Sequence, residues 1–178
     1  MNRLVNYISC VQHLEKSMYY KRRLIDQLII ELEANYQTAL TAAKRAHSTA
    51  TDKANIAENK YDTLGLEAAY LAEGQAKRAS ECYADIDAIQ NLTAQDYLLT
   101  DAIVVGALVR LIDQDEKSLS LLLAPVSGGL KFIFEERTIV VITQSSPLGK
   151  QLLGKFVDDE FEVGSEQHRK CYRIDHID

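Results

Sequence analysis

The first 100 residues contain no proline and two glycines, Gly65 and Gly74, so nothing in them obliges a helix to stop for most of that length. Apolar side chains recur at Leu14, Met18, Ile25, Leu28, Leu32, Tyr36, Ala39, Ala43 and Ala46, mostly three or four apart, the stripe of a helix that packs along its length. A second stripe runs from Ala57 through Tyr61, Leu64, Ala68 and Leu71, crosses the polar Gln75 and Arg78, and resumes at Cys82, Ile86 and Ile89. Between the stripes, His47 to Asn55 is rich in Ser, Thr, Asp and Asn, which cap helices better than they continue them. The pattern predicts an antiparallel helical hairpin. About 38 residues from Val11 to Ser48, at 1.5 Å each, make a rod on the order of 55 Å long. Alanines at 39, 42, 43, 46, 54 and 57 let the two axes approach closely near the turn, so the tip is slender.

From Ala102 the pattern changes to β-branched and aliphatic runs separated by turn residues: Ile103 to Ile112, Leu119 to Ala124, Lys131 to Phe134 and Thr138 to Thr143. Asp113, Gln114 and Asp115 suit a hairpin loop, and Ser127, Gly128 and Gly129 suit another turn. Pro147 sits at the first turn of a short helix that ends near Gly154. Glu160 to Val163 and Lys170 to Ile177 close a unit of roughly 75 residues. The expected fold is α+β in two domains, with a coiled-coil hairpin over 1–92 (tip about 48–58), a linker over 93–101 and a small α+β domain over 102–178.

Charge narrows the function classes. The net charge is -6, with 11 Lys/Arg against 12 Asp/Glu in residues 1–90 and 9 against 14 in the rest, so independent binding to duplex DNA is not expected. No apolar run approaches the roughly 18 residues that span a bilayer, and Asn2, Asn6 and Ser9 interrupt any signal-like start. A cytoplasmic location is therefore expected. Cys10, Cys82 and Cys171 are odd in number and far apart, which argues for reduced thiols and against a disulfide framework.

The segment Ile142-Thr-Gln-Ser-Ser-Pro-Leu-Gly-Lys-Gln-Leu-Leu-Gly-Lys-Phe-Val-Asp-Asp-Glu-Phe-Glu-Val163 resembles the C-terminal signature of the Gre elongation factors. The core of the likeness is Ser-Pro-Leu-Gly-Lys, then Leu-Leu-Gly-Lys, then a strand after Asp-Asp-Glu. The hairpin before it agrees with that family in architecture, though the sequence likeness is much stronger after Asp101. The resemblance implies a coiled-coil finger joined to an FKBP-like domain. It implies a bacterial RNA polymerase partner, met by Ser145, Ser146, Pro147, Leu148, Gly149 and Lys150, with the finger entering the secondary channel. There, tip acids help hold a second Mg²⁺ so that the polymerase cleaves backtracked RNA at its own active site. Carboxylates are hard oxygen ligands that suit Mg²⁺. On this reading the chain is an accessory factor without a cofactor of its own, acts as a monomer and is no enzyme itself.

At the tip, the family places an Asp and a Glu three positions apart, followed by Asn. Here Asn55-Ile-Ala-Glu58-Asn59 aligns, with Glu58 and Asn59 matching and Asn55 in place of the Asp. Glu58 is the expected main acid and shared-Mg²⁺ ligand. Asp52, before the turn, and Asp62, one helical turn after Glu58, are candidates for the missing carboxylate. The plain alternative is that exposed acids near a helix N-terminus suit its dipole. Lys44, Arg45, Lys53 and Lys60 cluster near the tip, either as solvated helix surface or, for Lys44, Arg45 and Lys53, as contacts to the nascent RNA 3′ end. Gly65 inside a helix costs up to about 1 kcal/mol relative to alanine and points to close packing or a bend.

Other constellations read as structural. His13, His47, His168 and His176 have no metal-site spacing, Gly128-Gly129-Leu130-Lys131 lacks a phosphate-loop pattern, and Asp158-Asp159-Glu160 suits a solvated turn. A prolyl isomerase role is not expected, since fold does not confer function and few aromatics are available to line a proline pocket. Two further functions stay open. One is a polymerase-bound channel regulator without cleavage, motivated by Asn55. The other is a coiled-coil interaction module or chaperone unrelated to transcription.

Overall fold

The computed structural model describes residues 2–52, 63–92, 101–164 and 169–178, with the side chains of residues 2–18 and of Leu64 outside that description. Helices α1 (Asn2–Thr51) and α2 (Leu64–Gln90) are followed by β1 (Leu108–Asp113), β2 (Ser118–Ala124), β3 (Lys131–Phe134), β4 (Arg137–Thr143), α3 (Pro147–Leu152), β5 (Glu160–Val163) and β6 (Lys170–Ile177). The chain divides into two compact units, Ile29–Asp87 and the pair Met1–Leu28 with Ala88–Asp178.

In the first unit α1 and α2 pair antiparallel: Tyr36 meets Tyr83 with ring centres 6.1 Å apart, while residues 43–51 of α1 face residues 69–76 of α2 across an open cleft. On α1 the packed face is the expected one, with Leu32, Ala39 and Ala46 buried. On α2 the stripe is corrected. Leu71 is 56% exposed and Ala79 is buried, so the inward positions follow Ala68, Ala72, Gln75, Ala79, Cys82 and Ile86, an uninterrupted four-three alternation. Leu71 and Arg78 each lie one residue, about 100° around the helix, from that seam.

The end of α1 also departs from the sequence expectation. Ser48 to Thr51 stay helical, and the hydroxyls of Thr49 and Thr51 donate back to the carbonyls of Arg45 and His47 within the helix. Residue types favoured as caps thus bond to the helix that contains them, an alternative open to any threonine. Helix α2 begins after Thr63, whose carbonyl accepts the Glu67 N–H and whose hydroxyl donates to the Glu67 carboxylate at 2.6 Å. The expected start of the second stripe, Ala57 and Tyr61, lies outside the described residues.

The second unit is built on a six-stranded sheet in the order β3-β4-β2-β1-β6-β5. The β2–β4 pair is parallel and the other pairs are antiparallel. Alternation places Val109, Leu111, Leu121, Leu123, Ile142 and Ile174 on one face, where they form the core with Ile103 and Leu152 of α3. Leu108, Leu122, Phe132, Phe134, Ile139 and Val141 alternate onto the opposite face and are buried too. A sheet buried on both sides needs aliphatic residues at consecutive positions, which is why Leu121 to Ala124 and Ile139 to Ile142 read as continuous apolar runs. Within this unit α1 reaches the second face at Phe134, which Tyr20 meets edge-on at 5.2 Å.

The first expected strand is shorter than its apolar run. Residues 103–105 leave the ladder at Gly106, which adopts φ 102°, open to glycine and strained for other residues, while Gly106 and Ala107 keep backbone bonds to Leu123. Ile103 instead exchanges backbone bonds with the Gly154–Lys155 turn and is fully buried as a plug for the core.

Burial pushes the Tyr20 phenol above its ordinary value of 10.0, partly opposed by Arg137 and Arg23 and reinforced by Glu135 and Asp178. The folded state therefore holds this proton more tightly than the unfolded chain. Its contribution is fully present below pH 10 and is lost as pH rises through the raised value. Between pH 9 and about 11.5, the melting temperature of Tyr20→Phe is expected to fall less than that of wild type; parallel curves would refute the assignment.

Candidate functional site

The 143–150 segment is shaped by two small residues. The Thr143 carbonyl accepts from the Ser146 N–H at 3.0 Å and from the Ser146 hydroxyl at 2.7 Å, while the same hydroxyl accepts from the Gly149 N–H at 3.0 Å. Ser146 is thus the N-cap of α3, with Pro147 behind it in the first turn. Gly149 is buried hard against the strand end: a Cβ there would sit 2.0 Å from the Thr143 carbonyl oxygen.

These contacts sort the six residues expected to meet a partner. Ser145, Pro147 and Lys150 are exposed and available. Leu148 packs against the core cluster, and Ser146 and Gly149 shape the turn. The structure also brings in three residues that sequence reasoning missed. Val104, Leu153 and Phe156 are 42%, 46% and 44% exposed, and the paired backbone of Ile103 with Gly154 and Lys155 places them around one turn beside α3. Their sequence signal was a pair of apolar residues on either side of Gly154-Lys155, legible only once the segment before Gly106 is known to leave the sheet.

At the hairpin end, Lys44 and Arg45 are exposed on the last turns of α1, and Asp52 is exposed just beyond it. Asp52 adjoins the C-terminal end of α1, where the helix dipole disfavours a negative charge, so the dipole does not account for it. Lys53, Asn55, Glu58, Lys60 and Asp62 lie outside the described residues. The nearby cleft of about 600 Å³ is lined by five alanines together with Lys44, His47, Thr51 and Glu73. No group of three or more His, Cys, Asp or Glu that could hold a metal occurs among the described residues. The Cys171 thiol donates to Glu162 at 3.5 Å, and that bond raises its pKa. No helix of the described residues is long and apolar enough to cross a membrane.

No family model matches the chain. Over 79 residues it is 37% identical to "Transcription elongation factor GreA" of Novosphingobium aromaticivorans, a match that covers 44% of this chain and 46% of that protein. The chain therefore spans about half the length of the curated relative it matches. Among solved structures, GreA factor homolog 1 (Gfh1) of Thermus thermophilus is 20% identical over 88% of this chain and 93% of its own, with a TM-score of 0.35. The GreA/GreB factor of Nitrosomonas europaea is 17% identical over 56% and 78%, with a TM-score of 0.33. Superpositions at that level add no argument. The sequence match agrees with the resemblance read from residues 142–163: over 79 residues the chain is similar to a Gre transcription factor.

Proposed function

We propose that this chain is a transcription elongation factor that binds bacterial RNA polymerase and assists the polymerase in cleaving backtracked RNA. The observation that carries the reading is the 37% identity to GreA. The exposure of Ser145, Pro147 and Lys150 in and before α3, and of Val104, Leu153 and Phe156, supports it, because binding to another protein draws on both polar and apolar exposed groups. In this reading the chain acts as a cytoplasmic monomer and an accessory factor, and the helical hairpin enters the secondary channel. Glu58, with Asp52 or Asp62, would hold a Mg²⁺ ion shared with the polymerase, and such an ion would supply charge stabilisation for RNA hydrolysis. Lys44, Arg45 and Lys53 contact the nascent RNA near its 3′ end, which makes the activity sensitive to salt.

The test is RNA shortening in a stalled, backtracked elongation complex with Mg²⁺ present. Wild type is expected to shorten the RNA. Glu58→Ala is expected to slow this at least tenfold, about 1.4 kcal/mol in the barrier, and Asp62→Ala to reveal whether that acid stands in for the missing Asp. A specific observation favours a second reading: Asn55 occupies the position of the family Asp and offers a metal one neutral carbonyl oxygen. If wild type binds polymerase and leaves the RNA intact, the chain is a channel-occupying regulator. If it does not bind polymerase, both readings fail and a coiled-coil interaction module unrelated to transcription remains.

A further inference from the structure

Five side chains, Tyr19, Tyr20 and Arg23 of α1 with Phe134 and Glu135, meet where the base of α1 lies on the β3–β4 hairpin. The Arg23 guanidinium donates from Nη1 to Glu135 Oε1 at 2.8 Å and lies over two rings, 5.5 Å from the centre of Phe134 and 5.8 Å from that of Tyr19. Tyr20 meets the same Phe134 at 5.2 Å with the ring planes at 71°. Glu135 and Glu136 form the hairpin turn at φ 46° and 64°, both left-handed. Such two-residue turns favour Asn and Gly, because other side chains are strained at positive φ. A glutamate at the first position gives up that ease and places a carboxylate within reach of Arg23.

We propose that Arg23 is a positioning residue that sets how α1 seats on the β3–β4 hairpin. Leu24 and Leu28 are fully buried and supply adhesion, but apolar burial is non-directional and tolerates small changes of tilt. The Arg23 contacts are directional. An exposed ion pair alone contributes little, and this one is half-exposed, so the discrimination comes from a planar cation engaging an acceptor and two ring faces at once. Lysine has no plane to do the same. Seating matters because α1 continues unbroken to Thr51. Here the inference rests on the proposed function: a hairpin that must reach a fixed active centre depends on how its helix is seated.

The experiment is a double-mutant cycle of Arg23→Ala, Glu135→Ala and the pair, with Arg23→Lys alongside. It is read by amide exchange of residues 19–28, by thermal unfolding and by the concentration giving half-maximal effect on stalled polymerase. Expected results are unfolding within a few degrees of wild type, exchange about five- to tenfold faster in Arg23→Ala, a double variant no faster than Arg23→Ala, and no recovery in Arg23→Lys. The half-maximal concentration is expected to rise about fivefold. Unchanged exchange in Arg23→Ala, effects that multiply in the double variant, or full recovery by lysine would overturn the proposal. If wild type has no effect on polymerase while the exchange results hold, the proposed function fails and the seating role of Arg23 stands.

Discussion

Gly149→Ala is expected to lower the unfolding free energy by about 3 kcal/mol, because the new methyl group would lie 2.0 Å from the Thr143 carbonyl oxygen and 2.8 Å from its carbon. Both are backbone atoms, and neither can swing aside as a side-chain tip could. That oxygen is also the acceptor for the Ser146 N–H and hydroxyl. Relieving the clash therefore pulls apart the N-cap of α3 and lifts Leu148 and Leu152 from the core they help close. The loss is a large part of the roughly 5–15 kcal/mol that holds an ordinary domain folded. Denaturant unfolding would measure it. Gly74→Ala is the control, since nothing lies within 4 Å of its Cβ position and it sits inside α2. There alanine is expected to be neutral or to stabilise by up to about 1 kcal/mol. A Gly149→Ala variant that unfolds with wild type would show that the loop has another conformation of similar energy.

Leu123→Ala is expected to be destabilising by about 2–5 kcal/mol. Leu123 has no exposed surface and belongs to β2, which lies between β4 and β1. Its side chain joins the core cluster with Ile103, Ile142 and Leu152, while its backbone N–H donates to Ala107 and its carbonyl accepts from Gly106. Truncation removes transfer free energy and leaves a cavity walled by strands on either side, which have little freedom to collapse into it. Ile133→Ala is the matched comparison, because Ile133 is 71% exposed on the edge strand β3 and its loss is expected to fall within about 0.5 kcal/mol. Equal effects at the two positions would contradict the burial assigned to Leu123.

The candidate site was only partly legible in the sequence. The run from Ser145 to Lys150 was read as one contact surface, and the structure divides it by role. Ser145, Pro147 and Lys150 face outward, Leu148 joins the core and Ser146 and Gly149 hold the turn. A linear motif contains both kinds of residue because the loop has to be shaped before it can present anything. Val104, Leu153 and Phe156 were missed for the opposite reason: they are apolar, and apolar residues next to strands and helices are first taken as core.

What the sequence determined by itself follows from repetition along the chain. A 100-residue stretch without proline, striped at three and four, can bury its apolar face only as packed helix. Alternating and continuous aliphatic runs between turn residues can bury theirs only as sheet. Those periods are local, so the hairpin of α1 and α2 and the strands of the α+β unit could be read off directly. The tertiary structure decided what period cannot encode. It placed the α2 seam through Ala72 and Ala79 in preference to the larger Leu71, which is exposed. It took Ile103 out of the sheet at Gly106 to plug the core, and it brought Arg23 and Glu135, 112 residues apart in sequence, into one ion pair. Each of these depends on which surfaces meet in space, and that is set by packing and excluded volume, which no local pattern contains.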